Sequence, residues 1–249
     1  MRAGNLLCSL IIPVLTMAQP TLTAEEVVRK TDANMRGNTL QADMLIRTVR
    51  PTWTREMGVK TWMKGNAYAM ILITSPAKDK GVAFLKRKKE VWNWVPTLER
   101  SIKLPPSMMS QSWMGTDFTN DDLVKESSVV EDYVHSHAGD TLIRNVECYI
   151  IQMIPKPEAA VVWGKLKMYV DKKNFVEVHM KFYDEDGSLV NIMNSLEIKT
   201  MGGRLIPTRV EMIPMDKKNQ KTEIIYSNLV FDKPIDENFF TLQQMRNLR

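Results

Sequence analysis

Alternation of apolar and polar residues dominates the chain once residue 38 is passed. Leu40, Ala42, Met44 and Ile46 alternate with Gln41, Asp43, Leu45 and Arg47, the period-two signature of a strand with one face toward a core. Similar segments near 54–64, 67–75, 81–86, 89–95 and 99–104 are separated by short turns, which predicts antiparallel neighbours. After a break, strands are predicted near 128–136, 141–154, 162–171, 174–183, 189–200, 204–213 and 221–231. Turn signals stand at Asp171-Lys172-Lys173-Asn174, Asp184-Glu185-Asp186-Gly187 and Gly202-Gly203. Ahead of the strands, Thr23 and Glu26 form a capping box, Val27 and Val28 begin an amphipathic stripe, and Gly37 supplies a stop, so 24–36 is predicted helical. One helix, some twelve strands and a helical interruption predict a mainly β (α+β) fold. An antiparallel sheet that wide curls or closes, and its concave face must be filled by side chains, a helix or a ligand.

The interruption carries the densest apolar chemistry. Val91 to Leu123 holds three of the six tryptophans, Trp92, Trp94 and Trp113, with Met108, Met109 and Met114. Pro105-Pro106 excludes regular structure between them, so the stretch reads as an exposed or cavity-lining apolar patch. Thr119 or Asn120 ahead of Asp121-Asp122-Leu123 predicts a short capped helix, and Met108 to Phe118 is the candidate lid. Methionine is abundant at eighteen residues. Each of Met44, Met70, Met168, Met180, Met193 and Met212 taken alone reads as core. As a set with Met108, Met109, Met114 and Trp113, they read as an adaptable apolar pocket, because the unbranched thioether fits ligands of loosely defined shape.

Composition and charge narrow the setting. Arg2, the apolar run from Leu6 to Leu15 and Thr16-Met17-Ala18 match a secretory leader, residues 1–18, with cleavage expected after Ala18 and one domain over 19–249. Cys8 follows Leu7 where a lipid-attachment site needs a small residue, so it is read as part of the leader. With Cys148 then the sole cysteine, an exported chain must rely on a packed core without an intramolecular disulfide. The formal charge of +5 is spread among mixed signs, which argues against nucleic acid. The compact run Lys86-Arg87-Lys88-Lys89 is read as a solvated hairpin turn and as the candidate for docking an acidic partner or anionic head groups.

No nucleophile elbow, phosphate-binding glycine loop, HExxH or paired-cysteine spacing is present, so no catalytic residue, metal or cofactor is assigned and an enzyme is not expected. His135-x-His137 would put two rings on one strand face and, with Asp132 or Asp140, offers the one metal-like constellation; solvated surface histidines are the simpler reading. Asp117, Asp121 and Asp122 are read as helix-capping carboxylates, and Cys148 as a small buried hydrophobe.

Several of these residues resemble a known family. Val91-Trp92-Asn93-Trp94-Val95-Pro96 with Arg100, Gly115-Thr116-Asp117-Phe118 with Asp121-Asp122-Leu123, and Pro234-Ile235-Asp236-Glu237-Asn238-Phe239-Phe240 look like the LolA-like outer-membrane lipoprotein-sorting proteins. The resemblance implies a half-open β-barrel with an N-terminal helix and a helical lid over an apolar cavity. It implies a monomeric periplasmic carrier that takes lipoprotein acyl chains or another lipid from an inner-membrane exporter to an outer-membrane acceptor. The lipid-binding residues assigned on this reading are Trp62, Met70, Trp92, Trp94, Met108, Met109 and Trp113, with docking through Lys86, Arg87, Lys88 and Lys89. In one respect the chain departs from the family. Trp62-Met63-Lys64-Gly65-Asn66 places Gly65 where the carriers' lid-latching arginine is expected, and the flexible ammonium of Lys64 does not replace a guanidinium fork. Two other readings stand beside the carrier: a non-transporting envelope sensor or scaffold of the same fold that binds a lipidated partner, and a hydrolase or metal enzyme built on His135 and His137.

Overall fold

Helix α1 spans Ala24–Arg36 and starts as the sequence requires: Thr23 Oγ1 accepts from the Glu26 amide while the Glu26 carboxylate accepts from the Thr23 amide. Gly37, at φ +60°, ends it by donating to the Ala33 carbonyl. In this computed structural model residues 22–125 and 128–248 are described; the leader and its cleavage site lie outside them.

Thirteen strands follow: β1 Thr39–Val49, β2 Thr54–Lys64, β3 Tyr68–Ser75, β4 Ala83–Arg87, β5 Glu90–Val95, β6 Arg100–Lys103, β7 Tyr133–Ile143, β8 Val146–Pro155, β9 Lys165–Asp171, β10 Glu177–Tyr183, β11 Leu189–Met201, β12 Arg204–Pro214 and β13 Lys221–Phe231. They form one antiparallel sheet in the order β6-β5-β4-β3-β2-β1-β13-β12-β11-β10-β9-β8-β7. The sheet is open and curved, with β6 and β7 as its two edges. The segment joining those edges therefore crosses the concave side, and that topology makes it a lid. A short C-terminal helix, α2 (Leu242–Asn247), follows a turn of 3-10 helix at Glu237–Phe239.

Strand periodicity sorts side chains to the two faces. Even positions of β1, odd positions of β2 and β3, and even positions of β12 and β13 point inward, so Ile46, Met57, Ile71, Met212 and Ile224 join α1's Val27 and Val28 in the principal core. The convex face is charged around β1 and β13. Glu223, nearly buried there, is held by Lys221 at 2.8 Å, Arg209 at 3.0 Å and Arg47 at 3.3 Å, and Arg47 continues to Glu56 at 2.7 Å. Burial works against the Glu223 charge, yet Lys221 and Arg209 hold its carboxyl below the ordinary range.

Around His137 the structure departs from the expected strand boundaries. The stretches expected as 128–136 and 141–154 are in fact β7 and β8, which meet at Arg144-Asn145, both left-handed at φ +48° and +64°. Residues 137–140, which fall between the two expected strands, form a bulge inside β7, where the register shifts between His137 and Asp140. Gly139 at φ +114° permits that bulge.

Candidate functional site

The lid, expected at Met108 to Phe118, is described over residues 104–125 and again from Ser128 to Asp132. It opens with a 3-10 turn at Pro106–Met108, makes a second at Trp113–Gly115, and closes with a one-turn π-helix at Asp121–Lys125. Its apolar side chains turn into the concavity: Trp113 is 1% exposed and lies 5.6 Å from the Phe84 ring, with Met109, Phe118 and Val124 buried beside it. In this arrangement the lid itself occupies the hollow of the half-barrel.

Polar contacts at the rim hold it there. Arg50, just past β1, donates from Nη1 to Asp117 Oδ2 at 2.9 Å and from Nη2 to the Gly115 carbonyl at 3.1 Å. Asp117 Oδ2 also accepts from Thr222 Oγ1 at 2.7 Å, and the Asp117 amide donates back to that hydroxyl at 3.0 Å. Arg55 on β2 donates to the Met114 carbonyl. The carboxylate is nearly buried, so this is a charge-assisted clamp shielded from water. Asp117 is thus a lid anchor and not the helix cap expected from sequence.

Farther along, Thr119 and Asp122 cap one another: the Thr119 amide donates to Asp122 Oδ2 at 2.8 Å and the Asp122 amide to Thr119 Oγ1 at 3.1 Å. Trp163 Nε1 donates to the other Asp122 oxygen at 2.8 Å, yet burial dominates and pushes this carboxyl up to about 6. His135 and His137 do share a face, but each donates to a backbone carbonyl, Val129 at 2.7 Å and Leu22 at 2.9 Å, tying the lid's end and the entry to α1 against β7. Among the described residues no group of three or more His, Cys, Asp or Glu side chains is placed to hold a metal.

The closed lid carries strain. Trp113 Nε1 is buried without a partner among the described residues, a cost of about 1–3 kcal/mol, and Met114 sits at φ +51°, where a side chain is disfavoured. The Asn93 Oδ1 is likewise buried and unpaired on the same concave face, across from Phe84.

The residues assigned to the pocket from sequence divide between two faces. Met109 and Trp113 are buried under the lid, and Met108 packs on the same core. Met70, by contrast, lies on the convex face, fully buried with Phe240 and Met245 of the C-terminal segment, with Trp62, Trp92 and Trp94 packed around them. Trp62 packs at a tilt against Phe239, ring centroids 5.5 Å apart, and Arg246 lies 5.8 Å over Trp94. The period-two register forces the split, since Trp62 and Met70 are a cross-strand pair on the face opposite Ile71 and Met63. Met44, Met168, Met180, Met193 and Met212 belong to the concave side. Lys86 is also turned inward and buried, which leaves Arg87, Lys88 and Lys89 as the exposed turn, at the end of the sheet away from the lid clamp. Lys64 pairs with Glu237 at 3.4 Å on the convex side, and Gly65 occupies the β2–β3 turn with nothing within 4 Å of a built Cβ. Neither makes a contact with the lid, whose end is reached from this turn by Asn66, donating to Ser128 Oγ at 3.4 Å. The latch residues Arg50 and Thr222 were missed because nothing in their local sequence ties them to a segment 67 and 105 residues away.

Comparison with known proteins agrees with this architecture. A family model described as an uncharacterized protein family matches residues 65–247. No curated protein sequence matches the chain. Among solved structures, a DUF1329 family protein from Desulfovibrio piger superposes with a TM-score of 0.81 at 18% identity, covering 89% of this chain and 97% of that one. A putative outer membrane lipoprotein-sorting protein domain from Vibrio parahaemolyticus gives 0.78 at 20% identity, covering 90% and 98%. A LolA superfamily protein from Nitrosomonas europaea gives 0.77 at 22% identity, covering 90% and 99%.

Proposed function

The chain belongs to the uncharacterized protein family whose model spans residues 65–247 and has a LolA-like fold, and on that footing we propose that it is a periplasmic carrier of lipoprotein acyl chains or another lipid, delivering them toward the outer membrane. The observation that carries this reading is the lid whose apolar side chains fill the concavity while a few rim contacts hold it. Withdrawn as a unit, Met109, Trp113, Phe118 and Val124 vacate a space already lined by Met57, Met153, Met168 and Met212, side chains able to reshape around flexible tails. Acyl chains would take the lid's place.

Energetics favour a carrier of this kind. Each buried methylene is worth about 0.8 kcal/mol, so one sixteen-carbon chain gains on the order of 12 kcal/mol on leaving water. That gain offsets the exposure of the lid's four buried apolar side chains, at about 1.5–3 kcal/mol each. A bilayer offers the same gain, so release must be arranged by docking and lid motion, with no bond made or broken. Delivery between an inner-membrane donor and an outer-membrane acceptor fits that requirement.

Titration with a pyrene-labelled diacyl lipopeptide tests the proposal. Saturable one-to-one binding accompanied by faster hydrogen exchange at the lid amides is expected. Absence of binding, or binding that leaves lid exchange unchanged, would remove the concavity as a cargo site. Native mass spectrometry of protein purified from its own host then identifies the cargo by mass.

A further inference from the structure

We propose that the end of the sheet at which the lid is clamped is a docking surface for an anionic lipid bilayer, and that docking there loosens the clamp. Two turns meet at this end. The β1–β2 turn, residues 50–53, and the β12–β13 turn, residues 215–220, lie side by side because β1 pairs with β13 from Val49 opposite Lys221. Each projects one large apolar side chain, Trp53 at 49% exposure and Met215 at 50%. Next to Met215 a groove of about 610 Å³ is lined by Val49, Ile213 and Pro214 on its apolar side and by the exposed Lys217 and Lys218 on the other, with Lys221 already paired with Glu211 and Glu223.

An exposed tryptophan and methionine beside exposed lysines is the chemistry of the water–lipid boundary. An indole prefers the head-group layer, and basic side chains close to an anionic surface are each drawn to it. Asp216 offsets one of these charges, and the acidic turn from Asp184 to Gly187 borders the patch beyond Val190, whose carbonyl accepts from the Met215 amide at 2.8 Å. An anionic surface repels that turn, which brings the Trp53 corner down first. Contact is accordingly weak and reversible, as suits a protein that must leave again.

Arg50 connects this patch to the lid. Its guanidinium lies 5.8 Å over the Trp53 ring while donating to Asp117 and to the Gly115 carbonyl. Lipid phosphates around a seated Trp53 present that guanidinium with a bidentate acceptor that competes with Asp117 for Nη1 and with the Gly115 carbonyl for Nη2. Lid release is thereby confined to the one place where an acyl chain loses nothing by leaving. The docking step stands on surface chemistry alone; the release step rests on the carrier reading above.

Flotation of the full-length mature protein with vesicles tests both steps. Wild type should float with phosphatidylcholine vesicles containing phosphatidylglycerol and remain behind with phosphatidylcholine alone. Replacing both lysines, K217E/K218E, should weaken flotation about 30-fold or more, since each lysine near such a surface contributes roughly a factor of five, and Trp53→Ala should also weaken it. On anionic vesicles, hydrogen exchange at lid amides should rise at least tenfold in wild type, and in Arg50→Ala it should be fast with or without vesicles. Docking is overturned if wild type does not float, as an acidic protein partner in place of a membrane would predict, or if neither variant changes flotation. Coupling is overturned if the protein floats while lid exchange stays as it was. A carrier reading that fails through lack of lipopeptide binding leaves the flotation result standing, so the two failures are separable.

Discussion

Replacing Asp117 with alanine isolates the lid clamp from the rest of the fold. The carboxylate is nearly buried and accepts from Arg50 at 2.9 Å and Thr222 at 2.7 Å, so removing it breaks a shielded ion pair, a change that typically costs about 3–5 kcal/mol. Arg50 keeps the carbonyls of Val49 at 2.9 Å, Gly115 at 3.1 Å and Lys221 at 3.3 Å, so its charge is not left bare and the lower end, about 3 kcal/mol, applies. If this energy holds the lid alone, it appears as local opening. Amides bonded within the lid, Trp113 to the Phe118 carbonyl and Asn120 to the Gln111 carbonyl, should then exchange roughly 100-fold faster. Amides in β2 and β8 should keep their protection. Thr222→Val removes both hydrogen bonds of its hydroxyl, to the Asp117 carboxylate and from the Asp117 amide, and should raise lid exchange by roughly 30-fold, about 2 kcal/mol. Hydrogen exchange with mass spectrometric detection reads all of these. A uniform rise across lid and sheet would mean that the clamp supports the whole fold, and an unchanged lid would mean that packing of Trp113 and Phe118 suffices; either refutes the gating argument.

The remaining expectations concern single groups. Asp122 has its carboxyl raised by burial to about 6, so it favours the folded state fully below its unfolded value near 4 and loses that contribution as pH rises through about 6. Thermal melts of wild type should therefore fall relative to Asp122→Asn by an amount equivalent to roughly 3 kcal/mol, most of it between about pH 4 and 6; parallel profiles for the two proteins would refute it. Burial alone raises the Glu177 carboxyl to about 7, so Glu177→Gln should raise the melting temperature at pH 8 and leave it nearly unchanged at pH 4. Phe240→Ala should cost about 3–5 kcal/mol at the α2 contact, detected as new proteolysis confined to the C-terminal segment. The Cys148 thiol is buried and pushed up by desolvation, so Ellman's reagent should leave it unmodified until denaturant is added.

The local code of this chain was legible without coordinates. The Thr23–Glu26 box gives α1 its start, alternation marks the strands, and Pro105-Pro106 with the clustered Trp and Met residues marks the lid, because each signal depends on neighbours a few residues apart. Alternation also guarantees that every strand has two faces, but it carries no label for the inner one. Trp62 and Met70 were thus grouped with Trp113 on chemistry alone, whereas the register places them beneath Phe240 on the other side of the sheet. His137 to Asp140 fall between two expected strands because alternation lapses there, and pairing with β8 carries β7 through them as a bulge. The clamp was the least visible feature, since β1–β13 pairing sets Arg50 beside Thr222 and only the lid's path across the concave face brings Asp117 onto them. Short-range preference decides which elements form. Which face is buried, and what fastens the lid across it, depends on long-range pairing that no window of sequence contains.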